Sequence, residues 1–72
     1  PSDYRPDMEL AFLYADMQSK KDAEARDYTA VAACYDTAKQ KYQQAVANGA
    51  NDMSMTELEN LMAQLRTAGW LN

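Results

Sequence analysis

The amino-acid sequence predicts a small all-α protein, a three-helix bundle in which the middle helix is the longest. Its hydrophobic residues recur every three or four positions rather than at alternate positions, the spacing of one face of an α-helix. The 72 residues include only two glycines and two prolines, so long stretches of chain contain no helix breaker. Hydrophobic residues make up 47% of the chain, enough for one core in a single domain.

The first helix is predicted over residues 7–19, after an extended lead at residues 1–6. Pro6 suits the first turn of a helix, because a proline there gives up an N–H that has no helical partner. Asp7 and Glu9 place negative charge at the positive end of the helix dipole. The residues expected to face the core have helical spacing and are Leu10, Leu13, Tyr14 and Met17.

The second helix is predicted over residues 23–48, with a turn at 49–54 that Gly49 begins. Gly49 can adopt the left-handed conformation that ends many helices. The core-facing side chains of this helix are spaced 3, 4, 3, 4 and 3 residues apart, which is typical of a seam between two helices. The seam residues are Tyr28, Val31, Tyr35, Ala38, Tyr42 and Ala45.

The polar stretch between the first two helices, residues 19–27, allows two interpretations. The apolar stripes on either side are in phase, as they would be on one unbroken helix over 7–48. Such a helix would be about 63 Å long at 1.5 Å per residue, too long for the remaining chain to cover, and would imply a homodimer. A break near residues 19–22 allows a compact bundle of one chain, and we favour the break.

The third helix is predicted over residues 55–68. Ser54 and Glu57 have the spacing of a capping box, which satisfies free N–H groups at a helix start. The tail at 69–72 is expected to fold back so that Trp70 covers the end of the core. The predicted core-facing residues are Met55, Leu58, Met62 and Leu65.

The chain lacks the residues that most enzymes need. There is no histidine, which removes the usual general base and the commonest metal ligand. Cys34 is the only cysteine, so no disulfide can form within the chain, and no base is spaced to activate its thiol. We therefore expect no catalytic activity, no cofactor and no bound metal.

Net charge narrows the class of partner. The chain carries 11 acidic and 7 basic residues, a net charge of −4. This charge argues against direct binding to nucleic acid or to anionic membranes, both of which need a basic surface. No apolar run approaches the ~20 residues of a membrane span, and no signal peptide is visible. The single cysteine is typical of a reducing compartment, and we expect a cytoplasmic location.

These observations predict a non-catalytic protein–protein interaction module, such as an adaptor, an assembly factor or a small chaperone. Its partner would be another protein or a second copy of the chain, and no small-molecule substrate is expected. Aromatic residues are enriched at protein interfaces, where one edge of the ring remains wet. The candidate partner-binding residues are Phe12, Tyr28, Tyr35, Tyr42 and Trp70.

The alternative function is a small acidic inhibitor, of the kind encoded by phages, which blocks a basic nucleic-acid-binding protein by charge mimicry. Its support is the small size and the acidic charge alone. Binding by mimicry should weaken steeply with salt, whereas binding through an apolar helix face should not.

Overall fold

A computed structural model describes residues 3–71, which form three α-helices and no strand. The helices are α1 (Arg5–Ser19), α2 (Thr29–Ala47) and α3 (Met53–Thr67), with a short 3₁₀ turn at Ala23–Ala25 between the first two. The predicted all-α, three-helix fold is thus confirmed. Residues 1, 2 and 72 of the predicted lead and tail lie outside the described residues.

The chain breaks between α1 and α2, so the alternative of one fused helix over 7–48 is wrong for this structure. The prediction that α2 begins at residue 23 is also wrong, because it begins at Thr29. Asp27 sets this start: its Oδ1 accepts hydrogen bonds from the backbone N of Thr29 at 3.0 Å and from the Thr29 hydroxyl at 2.6 Å. These bonds lower the pKa of the Asp27 carboxyl.

The start of α3 also differs from the prediction. Asp52, not Ser54, is the N-cap residue, and its Oδ1 accepts a hydrogen bond from the backbone N of Ser54 at 2.9 Å. Ser54 lies inside the first turn, so the predicted capping box is wrong. Aspartate and serine both cap well, and sequence alone gave no reason to prefer the earlier residue.

α2 and α3 are each followed by a glycine, and the two glycines have the same backbone geometry. Gly49 and Gly69 have φ of +95° and +88°, a conformation that favours glycine. After α2, the N–H of Gly49 bonds to the carbonyl of Val46, and that of Ala50 to the carbonyl of Ala45, each at 2.9 Å. This pair of hydrogen bonds is a Schellman motif, and the same pair recurs after α3. The predicted role of Gly49 is confirmed.

The largest fully buried side chains come mainly from α3. Its predicted stripe of Met55, Leu58, Met62 and Leu65 is buried, as predicted. The other two helices contribute several small residues, and α1 contacts α2 far more extensively than either contacts α3. Alanine permits this close approach of α1 and α2. The buried residues outside α3 are Met8, Ala11, Ala15, Tyr28, Val31, Tyr35 and Ala38.

The face of α1 that enters the core is not the predicted one. Leu10, Leu13 and Met17, predicted to be core residues, are 38%, 53% and 50% exposed. The helix instead buries Ala11 and Ala15, together with Met8. Because α1 lies close to α2, its buried face has room mainly for small side chains. The side chains of α3 and the tyrosines of α2 fill most of the core volume.

Candidate protein-binding surface

Three of the five candidate residues lie in one region of the bundle, where Tyr28 contacts Trp70 and Phe12 lines the same groove as Tyr28. Tyr28 is buried, and its ring centroid lies 5.5 Å from that of Trp70 in a tilted arrangement. Trp70 is half-buried, and its backbone N–H bonds to the carbonyl of Leu65, so the tail folds back as expected. Phe12 is half-buried and packs against the core.

An apolar groove beside these rings, which we call the α1–α3 groove, has a volume of about 270 Å³. Pockets for drug-sized ligands usually occupy roughly 300–1,000 Å³, so this groove lies just below that range. Its lining carries one carboxylate, that of Asp16, and two hydroxyls, those of Ser19 and Tyr28. The lining residues are Phe12, Ala15, Asp16, Ser19, Tyr28, Leu61 and Leu65.

Arg26 holds this region of the molecule together. Its guanidinium lies 5.5 Å from the Trp70 ring centroid, within the range of a cation–π contact. The same group donates hydrogen bonds of 2.9 Å to the carbonyl oxygens of Ser19 and Lys21. Arg26 thereby ties the end of α1 to the C-terminal tail. Its role had no sequence signal, since it depends on contacts between distant residues.

Tyr35 lies in the middle of α2 with its ring buried at 7% exposure. Its hydroxyl donates to Glu59 Oε1 at 3.4 Å, which reaches the wet edge of α3. Burial, followed by the charge of Glu59, raises the pKa of Tyr35. The ring is therefore covered by the chain itself, and only its polar end is near solvent.

Tyr42 belongs to a cluster that we call the tyrosine clasp, formed by Tyr4, Tyr42 and Asp52. The two rings meet edge to face with centroids 4.8 Å apart. The Tyr4 hydroxyl donates to Asp52 Oδ2 at 2.5 Å, and the Tyr42 hydroxyl accepts from the Asp52 backbone N at 2.7 Å. The clasp joins the starts of α1 and α3 to the end of α2.

Hydrogen bonding within the clasp shifts the protonation of both partners. The bond to Asp52 raises the pKa of Tyr4 to about 12, with a further contribution from desolvation. The bond from Tyr4, followed by that from the Ser54 N–H, lowers the pKa of Asp52. These are the shifts of a structural hydrogen bond between a neutral phenol and a carboxylate.

The chain itself covers part of the predicted binding surface. Tyr28 and Tyr35 are buried, so the surface a partner could reach on this set belongs to the half-buried Phe12, Tyr42 and Trp70. All five remain predicted anchors.

The largest uncovered apolar surface on α1 lies elsewhere, on the side opposite its buried face. We call Leu10, Leu13 and Met17 the outer stripe; half-buried Tyr14 borders it. These four residues have the spacing i, i+3, i+4 and i+7, which outlines the four-residue hole that receives a side chain of a facing helix. The sequence pattern predicts these residues to be apolar contact positions of α1, but it places them in the core.

One edge of the outer stripe carries the acids Glu9 and Asp16 between the bases Arg5 and Lys20, and Arg5 is paired with Asp3 at 2.9 Å. We call it the acidic edge. Because successive helix residues are rotated by about 100°, Glu9 and Asp16 lie on the same side of α1, and both are exposed. Asp16 pairs with Lys20 at 3.0 Å, an exposed pair four residues apart. Glu9 makes no ion pair with any residue in the described part of the chain. A third acid of the helix, Asp7, instead pairs with Lys41 of α2 at 2.8 Å.

Cys34, the only cysteine of the chain, is half-buried. Burial, with a smaller contribution from Asp7, raises the pKa of the Cys34 thiol and disfavours the reactive thiolate. Within residues 3–71, no three His, Cys, Asp or Glu side chains converge on a possible metal position. None of the helices described has the length and apolar character required to cross a bilayer.

No protein-family model matches the chain, and no curated protein or solved structure matches it significantly.

Proposed function

We propose that the protein is a non-catalytic interaction module, an adaptor, assembly factor or small chaperone, that binds a helix of another protein along the outer stripe of α1. One observation carries the proposal. Leu10, Leu13 and Met17 are 38–53% exposed on one face of α1, whereas the smaller Ala11 and Ala15 of the same helix are buried. A contiguous apolar face on a small protein is typical of an interaction site.

The size of the outer stripe indicates what kind of binding it supports. Covering a half-exposed leucine or methionine contributes about 1 kcal/mol, so the three residues together contribute about 3 kcal/mol. Association itself costs roughly 4–15 kcal/mol in lost rigid-body freedom. The stripe therefore needs further contacts from Tyr14 and from the charged edge, and the binding would be weak and readily reversible. Such binding suits an adaptor or chaperone, which we propose acts in the cytoplasm.

A designed peptide tests the proposal directly. The peptide would form an amphipathic helix with a two-turn leucine stripe and glutamine along both edges. We expect its addition to shift the backbone amide NMR signals of residues 9–18, with saturation at submillimolar to millimolar concentration. Such titrations, made on isotopically labelled protein, report weak binding residue by residue.

A pair of matched variants makes this test specific. Leu13→Gln with Met17→Gln should abolish the shifts, because both side chains border the receiving hole. Met53→Gln removes an apolar side chain that is 67% exposed at the start of α3, and should leave them intact. Absence of binding at millimolar peptide, or shifts confined to α2 and α3, would contradict the proposal.

The alternative of charge mimicry is favoured by no contact in the structure. Three of the acids within residues 3–71 are already paired with bases, in Asp3–Arg5, Asp7–Lys41 and Asp16–Lys20. Binding of the glutamine-edged peptide should change little between low and high salt, because its contacts are apolar.

A further inference from the structure

We infer that the partner helix carries lysine or arginine along one edge of its apolar stripe, opposite the acidic edge of α1. The inference rests on the proposed function, because it specifies the partner of the same outer stripe. The partner is another protein rather than a second copy of this chain.

The geometry of the outer stripe selects a helix. Leu10, Leu13, Tyr14 and Met17 surround one hole, and a facing helix fills such a hole with one side chain while its neighbours pack alongside. Pro6 and Lys20 continue the same row of positions at either end, so the apolar part is about two turns long. A short amphipathic helix matches this length and spacing, and helix docking is a common mode of peptide recognition.

The charge of the edge selects the sign of the partner. Glu9 is exposed and makes no ion pair within residues 3–71. Asp16 is paired only with Lys20, and both of these side chains are more than half exposed. An exposed pair of this kind is worth little, so a basic residue of a partner can share or replace Lys20 at small cost. The net charge of −4 also attracts a basic partner at longer range.

The same charges disfavour a second copy as the occupant. When two identical helices pair antiparallel about a twofold axis, each edge of one helix faces the same edge of the other. Glu9 and Asp16 of one copy would then face the acidic edge of the other copy, and like charges so placed repel. Two chains of net charge −4 would also repel each other at low salt.

Three peptides with one leucine stripe and different edges test the inference. The edge that faces Glu9 and Asp16 would carry lysine, glutamine or glutamate, and binding would be followed by fluorescence anisotropy. Two exposed ion pairs are expected to make the lysine peptide bind about fivefold more tightly than the glutamine peptide. The glutamate peptide should bind most weakly, and the differences should shrink at high salt.

A charge reversal on the protein supplies the decisive arm. The double variant Glu9→Lys with Asp16→Lys should invert the order, so that the glutamate peptide binds best. The control, Asp36→Lys with Glu57→Lys, changes the net charge by the same amount at exposed positions on α2 and α3. In the control, the order should remain that of the natural protein.

The possible failures are distinguishable. If all three peptides bind equally, or if the control inverts the order as well, the inference is overturned while the proposed function stands. If none of them binds, both are overturned. A dimer of the chain alone at micromolar concentration, lost in Leu13→Gln, would also overturn the inference, because a second copy would then cover the outer stripe.

Discussion

The two sides of α1 invert the usual relation between size and burial from Leu10 to Met17. Over these residues the inner face presents Ala11 and Ala15 to the core, beside Met8 of the first turn, whereas the outer face presents Leu10, Leu13 and Met17 to solvent. Hydrophobicity alone would place the larger side chains inside. The inner face must instead fit a space that α2, close by, and the large side chains of α3 have already filled. Side-chain volume therefore decides which face is buried, and the surplus apolar surface remains available for binding.

The largest effect expected from this comparison concerns the volume that α3 supplies. Leu58→Ala removes a fully buried side chain opposite the small residues of the other helices, and should lower the free energy of unfolding by about 2–5 kcal/mol. Urea unfolding followed by circular dichroism measures the change. Met53→Ala, an exposed site on the same helix, is the control and should have little effect.

The second expected effect tests whether the inner face of α1 is limited by space. Ala11→Leu inserts a large side chain at a fully buried position and should destabilise the fold by about 1–3 kcal/mol, although leucine is the more hydrophobic residue. Ala33→Leu makes the same change at an exposed position of α2 and should be nearly neutral. An equal or stabilising effect of Ala11→Leu would contradict the account of tight packing.

A smaller effect is expected at the tyrosine clasp, which fixes the start of α1. Its neutral phenol is stabilised in the folded state, with a pKa raised from the usual ~10 to about 12. The stability that this bond contributes should be complete below pH ~10 and should be lost as the pH rises towards 12. In Tyr4→Phe, this alkaline loss should be reduced. Unfolding measured at several pH values would show the difference.

At acid pH the sign is opposite. The lowered pKa of Asp52 means that its contribution is present above the usual aspartate pKa and is lost as the pH falls through the folded-state value. In Asp52→Asn, the free energy of unfolding should therefore fall less steeply as the pH is lowered. Asp3 and Asp27 also have lowered pKa values, so the remaining loss belongs partly to them. An unchanged acid profile in Asp52→Asn would show that the clasp does not contribute.

The smallest effect on stability is expected on the outer face. Leu13→Gln replaces a half-exposed side chain and should change the free energy of unfolding by no more than about 0.5 kcal/mol. The same variant should weaken binding of the leucine-stripe peptide. A large loss of stability would mean that Leu13 serves the fold, and would remove the distinction between the two faces.

The sequence predicted best where large side chains form the core. The stripe of α3 is buried as expected because Leu58 and its neighbours are large as well as apolar, and the seam of α2 is buried at Val31, Tyr35 and Ala38. The prediction of which face of α1 is buried was wrong, because hydrophobic periodicity gives weight to Leu13 and Met17 and little to alanine. Periodicity reports where apolar residues recur and not how close the neighbouring helix lies.

Local capping and long-range contacts explain the other differences. The start of α2 depends on Asp27, whose carboxylate accepts the hydrogen bonds of Thr29 at the end of a stretch of good helix formers, and the predicted start was therefore too early. The bond between Tyr4 and Asp52 joins residues 48 positions apart, which no local pattern can reveal. The five aromatic residues selected from sequence do lie on or beside the core, but their mutual contacts and the role of Arg26 required the folded chain.

The arrangement of Trp70 gives the molecule a built-in optical probe. It is the only tryptophan, and it lies 5.5 Å from Tyr28 beneath the guanidinium of Arg26. Excitation of the tyrosines should therefore produce indole fluorescence by energy transfer while Trp70 remains packed on Tyr28. Detachment of Trp70 should shift the indole emission to longer wavelength. Fraying of the C-terminus can thus be timed separately from the melting of the helices, without attaching a dye.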